Sequence, residues 1–190
     1  MDLIEEKAQE FSILTDKDDI KFIRIKKNHY NLKFNIKNEN IILFKIIDFS
    51  LIKLIYDLNT DIYEKTYLEK INDNEVIITL LMKHFFEDIG LPQCFTHSHV
   101  YKKIENNKII FDSILINDCK PEILPKDAEQ MPLNSFNIIG EIVNDHNVDF
   151  DVNIVFNNKM NVLPFIEKMV GIISNKIFKR LKQFIENIQI

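Results

Sequence analysis

Apolar and polar residues alternate along much of the chain, in short runs separated by turn residues. The runs cover residues 20–25, 30–36, 41–46, 63–71, 75–85, 94–104, 108–116, 135–143 and 148–156. Alternation places every second side chain on one face of a strand, so each run predicts a strand with a buried face. Asn72-Asp73-Asn74 and Asn106-Asn107 separate neighbouring runs, and Asn and Asp favour tight turns. The pattern predicts an antiparallel sheet built largely from hairpins.

Three other segments have helical periodicity. Residues 1–11 predict a short amphipathic helix, and residues 50–58 predict a second one behind the N-cap candidates Asp48 and Ser50. The strongest periodicity lies at 162–188, where apolar residues recur at three- and four-residue steps. A helix of about 25 residues is about 37 Å long. A helix of this length after so many strands is expected to lie across the concave face of a curved sheet, which is an α+β architecture.

Composition and charge narrow the class of protein. The 190 residues suit one domain, and 46% hydrophobic with 28% charged residues is the balance of a globular chain with a sizeable core. The net charge of −5 disfavours nucleic-acid binding. No apolar run is long enough to span a membrane, and the first residues lack the features of a signal peptide. With only two cysteines, Cys94 and Cys119, the sequence predicts a cytoplasmic protein with free thiols.

A long loop and two histidines are the first candidates for function. The segment 117–132 contains three prolines and four acidic residues, which predicts a surface loop. His97 and His99 share one face of a predicted strand, and Cys94 lies three residues earlier. This group is compatible with a metal site completed by acidic residues, with a Cys/His nucleophile and base, with polar contacts to a ligand, or with an exposed strand face. No nucleotide-binding or common hydrolase motif accompanies it.

Three segments carry a resemblance to the START-type and wider Bet v 1-like helix-grip domains. They read DFSLIKLIYDLNTDIYEKTYLEKINDNEVIITLLMK (48–83), FTHSHVYKKIENNKIIFDSILI (95–116) and VDFDVNIVFNNKMNVLPFIEKMVGIISNKIFKRLKQFIENI (148–188). The resemblance implies a single START-like domain over 1–190. Residues 1–47 then form an N-terminal helix and the first strands, and 48–188 carry the likeness. Thr96-His97 stands where many START domains carry an Arg-Asp pair, so no head-group-binding residues are transferred.

The resemblance implies a non-enzymatic protein that binds or transfers a lipid or another apolar molecule, without cofactor or metal, in a cavity between sheet and helix. The implied ligand-binding residues are Phe95, His97, His99, Val100, Phe111, Phe165, Met169, Ile173 and Ile177. The loops 117–132 and 157–163 are the expected gate. The alternatives are a protein-interaction domain with a filled core, working through a face such as 1–47, and an enzyme of the same broad fold.

The predicted C-terminal helix is basic within an acidic chain. It carries Lys168, Lys176, Lys179, Arg180 and Lys182 against Glu167 and Glu186. One interpretation is a face that touches anionic membrane during lipid exchange, with Lys176, Lys179 and Arg180 in contact. The other is an ordinary solvated helix face.

Overall fold

The computed structural model describes residues 11–85, 87, 90, 92–117, 120–157 and 164–189. The strands are β1 Ser12–Lys17, β2 Ile20–Lys26, β3 His29–Lys37, β4 Tyr63–Asn72, β5 Glu75–Met82, β6 Cys94–Glu105, β7 Lys108–Leu115, β8 Glu129–Gln130, β9 Leu133–Asn144 and β10 Asn147–Phe156. The α-helices are α1 Phe49–Asp57 and α2 Pro164–Glu186. The helix predicted over 1–11 lies outside the described residues except for Phe11.

All ten strands belong to one sheet in the order β1-β2-β3-β10-β9-β7-β6-β5-β4, with the short β8 pairing with β6 in parallel. Every other pairing is antiparallel. The α+β architecture, a curved antiparallel sheet with a long C-terminal helix, is confirmed. Strands β1 and β8 were not predicted, because β1 follows directly on a helical pattern and β8 lies inside the Pro-rich loop.

Asn and Asp form the tight turns, as the sequence predicts. Asp18 and Asp19 between β1 and β2, Asn28 between β2 and β3, and Asn106 between β6 and β7 all have φ between 55° and 60°. Asn and Asp tolerate this left-handed region better than other residues with a Cβ atom. Helix α1 begins as predicted, with the Asp48 side chain accepting a hydrogen bond from the Ser50 N–H.

The strand predicted over 41–46 is wrong, because residues Leu43–Lys45 form a short 3₁₀ helix. The side chain of Asn38 donates to the carbonyl oxygens of Ile185 and Ile188 at the end of α2, at 2.6 and 3.0 Å. The Leu43 N–H donates to the carbonyl of Asp145. These contacts turn the chain out of the sheet, so its apolar residues enter the core from a compact turn.

Helix α2 runs along β3 on the face of the sheet that we call concave. The Tyr30 hydroxyl at the start of β3 contacts Glu167 near the start of α2, and Asn38 beyond the end of β3 contacts Ile185 near its end. Between these points the rings of Phe34 and Phe178 are 5.0 Å apart. The helix therefore covers the β1–β3 side of the sheet.

Helix α1 fills the concave face beside α2. Its buried residues Leu51, Ile52 and Ile55 belong to the main core cluster, and Phe49 packs edge-on against Phe111 with ring centroids 5.7 Å apart. The core thus lies between the concave face and the two helices. Within the part of the chain that the structure describes, no helix is long and apolar enough to cross a membrane.

Candidate functional site

The strand register divides the predicted ligand-binding residues of β6 and β7 between the two faces of the sheet. Val100 and Phe111 lie on the concave face and belong to the main core cluster. Phe95, His97 and His99 occupy alternate positions of β6 and lie on the opposite, convex face. These five residues therefore do not line one cavity, and their roles in ligand binding stay predictions.

Phe95 is covered by the Pro-rich loop. It forms a small cluster with Leu81, Leu124 and Ala128, and the Lys120 ammonium lies 5.5 Å from its ring centroid. The loop is also held by a 2.7 Å hydrogen bond from the Met131 N–H to the Phe95 carbonyl. The described part of this loop is thus anchored on the convex face, across the sheet from α2.

His97 and His99 make separate contacts on the convex face. The Nδ1 atom of His97 is 2.8 Å from the Thr79 hydroxyl, and burial lowers the pKa of His97. His99 has the Tyr101 hydroxyl 2.8 Å from Nδ1 and a Glu75 carboxylate oxygen 3.3 Å from Nε2. The two histidines are therefore held in place by their neighbours on β5 and β6.

Cys94 lies on the concave side of β6, opposite to His97 and His99. Its thiol is 3.6 Å from the Pro92 carbonyl, and burial, with the nearby Glu129 charge, raises the pKa of this thiol. A raised pKa favours the protonated, weakly nucleophilic form. The described residues contain no cluster of three or more His, Cys, Asp or Glu side chains able to hold a metal ion.

The predicted residues of α2 differ in their burial. Ile177 is buried, Ile173 is half-buried against the core cluster, and Met169 is 37% exposed. Phe165 lies in the first turn of the helix, and its side chain is outside the described part of the structure. The apolar stripe seen in the sequence is thus only partly the buried face of the helix.

The space between α1, α2 and the middle of the sheet is filled. The void there has a volume of about 10 Å³ and is lined by Phe34, Leu51, Ile52, Ile55, Phe111, Ile138, Phe150, Phe178 and Leu181. A void of this size holds at most about one water molecule. An apolar ligand of any size has no room at this level of the core.

Two residues further along the strands, the concave face is more open. At the filled level, every residue of the cross-strand row is buried, with at most 6% exposed: Phe111, Ile138, Val152, Leu32 and Phe22.

The next row runs Val100, Ser113, Phe136, Ile154 and Tyr30. Its two ends are buried, but Ser113, Phe136 and Ile154 are only half-buried. Apolar side chains on the helix-bearing face therefore remain accessible here, and we call this row with its neighbours the outer cleft.

Two tyrosines, from α1 and β4, pack against the core beside each other. The rings of Tyr56 and Tyr63 meet edge-to-face with centroids 5.0 Å apart, and Tyr63 pairs with Met82 across the β4–β5 ladder. Both tyrosines are half-buried, yet desolvation raises the pKa of both phenols above the ordinary range.

A buried ion pair closes one end of the row. Glu167 of α2 is 3% exposed, accepts a 2.7 Å hydrogen bond from the Tyr30 hydroxyl and lies 2.6 Å from an Arg24 Nη atom. Burial, and then the hydrogen bond to Glu167, raise the pKa of Tyr30. These contacts hold the start of α2 to β2 and β3.

The basic residues predicted to touch a membrane are paired within the chain. Lys176 and Arg180 both bind Asp61 in the turn before β4, and Lys179 lies 3.0 Å from Asp18. Their charges bind α2 to the body of the protein. Membrane contact by these residues stays a prediction.

The sequence pattern did not identify the residues of the outer cleft. Ser113, Phe136 and Ile154 alternate like any half-buried strand residue. Only the register across strands shows that these three are neighbours. The half-buried state of Phe136 also requires knowledge of where α1 and α2 end.

No protein-family model and no curated protein sequence matches this chain. Solved structures do match it in fold. The lipid transfer and protein localization domain of human StarD13 superposes with a TM-score of 0.67 at 8% identity, covering 95% of this chain and 91% of that one.

Human STARD10 has a TM-score of 0.65 at 8% identity, covering 91% of this chain and 71% of that one. A STAR-related lipid transfer protein from Xanthomonas axonopodis has a TM-score of 0.61 at 13% identity, covering 92% and 98%. The chain has the START-type helix-grip fold.

Proposed function

We propose that this chain binds, and carries between membranes, a lipid or another apolar small molecule in the outer cleft. The observation that supports the proposal is that Ser113, Phe136 and Ile154 are half-buried, whereas the neighbouring row on the same face is buried. A ligand that covers accessible apolar surface under a helix is stabilised by about 25 cal/mol for each Å² of apolar area that it removes from water. Solved structures with this fold include proteins named for lipid transfer.

The ligand is expected to bind between the sheet and the first half of α2. Val170 and Ile173 on this half of the helix are half-buried against the core. In this proposal Val100 lies at the inner wall of the outer cleft, and Phe111 and Ile177 belong to the filled core beneath the ligand. Phe95, His97 and His99 lie on the other face and are not part of this proposed cleft.

The deeper core limits how far a ligand extends. Because the void at the level of Phe34 and Phe178 holds about one water molecule, a long chain enters the outer cleft only, or it displaces α1 or α2. We therefore expect a ligand that is short, bent or partly exposed.

Membrane exchange is proposed to use an exposed patch at the start of α2. Lys168 is exposed, and the adjacent apolar residues Met169 and Ile172 are 37% and 54% exposed. A cation beside exposed apolar side chains suits an anionic lipid surface. We infer a cytoplasmic location for the protein and no role in nucleic-acid binding.

Native mass spectrometry of the purified protein, followed by organic extraction, tests the carrier function. A stoichiometric apolar adduct is expected, and it identifies the ligand class. A clean apo mass together with no uptake of fluorescent fatty-acyl probes would contradict the proposal.

A matched pair of variants locates the site. Ser113→Phe places a ring in the outer cleft and is expected to lower probe affinity at least tenfold. Ile114→Phe changes the neighbouring residue, which is 60% exposed on the convex face, and is expected to bind like the unmodified protein. Equal affinity in the two variants places the ligand elsewhere.

The filled inner core supports a second candidate, a protein-interaction domain without a small-molecule ligand. A void of about 10 Å³ is what a conventional packed core leaves. The absence of any adduct or probe uptake favours this second function.

A further inference from the structure

Strand β4 forms one edge of the sheet and is ten residues long. Among the described residues, no strand pairs with its outer side. Tyr67 and Ile71 on this strand are 40% and 47% exposed, and the strand contains no proline. The pairing of β4 with β5 has register irregularities at Tyr63/Lys65 and at Lys70/Asn72, so the regular part of this open edge is 65–70. The free N–H and C=O groups of an open edge pair readily with another strand.

The backbone groups available at this edge follow from the pairing with β5. The Lys83 N–H donates to the Ile62 carbonyl, so alternate β5 residues, including Thr79, direct their backbone groups to β4. Tyr67 is the partner of Thr79 and bonds inward. Its neighbours Thr66 and Leu68 therefore direct their N–H and C=O groups outward.

The side chains of β4 are self-complementary in charge. In an antiparallel pair of β4 strands with its two-fold axis at Tyr67, residue i faces residue 134 − i. Within the regular stretch the facing pairs are then Tyr67 with Tyr67, Thr66 with Leu68, and Lys65 with Glu69, and at its ends Glu64 lies opposite Lys70. Opposite charges that face each other across an antiparallel ladder stabilise the pairing, and like charges destabilise it.

We propose that β4 pairs with β4 of a second copy of this chain, with Tyr67 on the two-fold axis. This inference does not rest on the proposed ligand function, because the cleft lies on the concave face and β4 extends the sheet sideways. Closed two-fold pairing is the commonest form of homo-oligomer, and each patch then serves as its own partner.

The charges favour this register over its neighbours. Lys65 and Glu69 have no ion-pair partner among the described residues, so both are available to a second copy. Moving the axis to Thr66 sets Lys65 against Tyr67, and moving it to Leu68 sets Lys65 against Ile71. Lys70 already contacts Asp73, and Glu64 already contacts Gln93. Most of the electrostatic attraction between the two copies is therefore expected from the pairs of Lys65 with Glu69.

Sedimentation equilibrium over about 1 μM to 1 mM tests the interface, a range that covers weak to moderate dimers. The unmodified protein is expected to approach twice its 22.6 kDa mass. Lys65→Glu sets like charges together and is expected to raise the dimer dissociation constant at least tenfold. The double variant Lys65→Glu with Glu69→Lys restores the pairs and is expected to restore the dimer.

Lys126→Glu in the exposed Pro-rich loop is the control for net charge and is expected to dimerise normally. A monomer at every concentration overturns the proposal, as does a double variant as weak as Lys65→Glu. Circular dichroism of each variant shows whether the chain is folded, so a loss of folding is recognised separately.

Cysteine cross-linking tests the register itself. Facing residues of a pair that lacks ladder hydrogen bonds have Cα atoms about 4.5 Å apart, within disulfide range. Tyr67→Cys is expected to form a disulfide dimer under mild oxidation. Ile71→Cys is the control, because the proposed register separates its two copies by about 26 Å.

The unmodified protein, with Cys94 and Cys119, gives the background. The proposed register is wrong if Ile71→Cys cross-links as fast as Tyr67→Cys. It is also wrong if neither variant cross-links faster than the unmodified protein.

Discussion

Glu167 is a buried carboxylate held by one cation and one phenol. Its side chain is 3% exposed, and that of its partner Arg24 is 17% exposed. A charge removed from water is costly unless its partners replace the lost hydration. The ion pair is therefore expected to add little net stability. Its main effect is to hold the start of α2 against β2 and β3.

Glu167→Gln is expected to lower the free energy of unfolding by about 3–5 kcal/mol, because it leaves the Arg24 charge unpaired in a mostly buried site. Tyr30→Phe removes one hydrogen bond to a charged group and is expected to cost about 1.5–3 kcal/mol. Urea denaturation measures both.

Asp57→Asn at the exposed pair with Lys53 is the control for Glu167→Gln and Tyr30→Phe. It is expected to change stability by about 0.5 kcal/mol or less. If Glu167→Gln and Asp57→Asn change the free energy of unfolding equally, burial of the Arg24–Glu167 pair makes little difference to stability.

The contact of α2 with β2 depends on a residue that has no side chain. A Cβ atom at Gly171 lies 3.1 Å from Phe22 Cδ1 and 3.3 Å from Thr15 Cγ2. Phe22 is completely buried, so its ring has little freedom to move away. Gly171 thus allows the helix to approach the sheet closely.

Gly171→Ala is expected to destabilise the protein by roughly 1–2 kcal/mol, although alanine is the better helix former by about 0.8–1.0 kcal/mol. Overpacking against Phe22 outweighs helix propensity at this position. Thermal or urea unfolding gives the sign directly. Ile172→Ala, at a residue 54% exposed on the same helix, is expected to stay within about 0.5 kcal/mol. A stabilised Gly171→Ala variant would show that the helix shifts at little cost.

At the scale of the molecule, Asp61 ties the C-terminal helix to the turn between α1 and β4. Hydrogen bonds from Arg180 and then from Lys176 lower the pKa of Asp61 below its ordinary value of 3.8. Because the folded pKa is the lower one, Asp61 contributes stability that is fully present above pH 3.8 and is lost as the pH falls through the folded pKa.

Asp61→Asn is therefore expected to flatten the acid side of the stability profile. Urea denaturation between about pH 2 and pH 7 measures this, and the variant is expected to lose stability near neutral pH while differing less in acid. Its carboxylate is 44% exposed, so the effect is reduced by solvent screening. Parallel profiles for variant and unmodified protein would assign the acid sensitivity to other groups.

Elements that depend on local spacing could be predicted from the residue pattern alone. Strands alternate with a period of two and helices with a period near 3.6, so α1, α2 and most strands were predicted within a few residues. Asn and Asp at the turns also act locally, through their tolerance of positive φ. The helix-grip resemblance followed from the order of these elements.

Which apolar residues are covered follows from the packing of the folded chain. The alternation of 41–46 resembles a strand, but contacts of Asn38 with the end of α2 turn the segment out of the sheet. Met169 has the spacing of a core residue and is 37% exposed, whereas Ile177 on the same stripe is buried. Burial depends on partners distant in sequence, and a core stripe and a cleft wall have the same period. For that reason the outer cleft, the pairing of the α2 cations and the open edge at β4 could be found only from the folded chain.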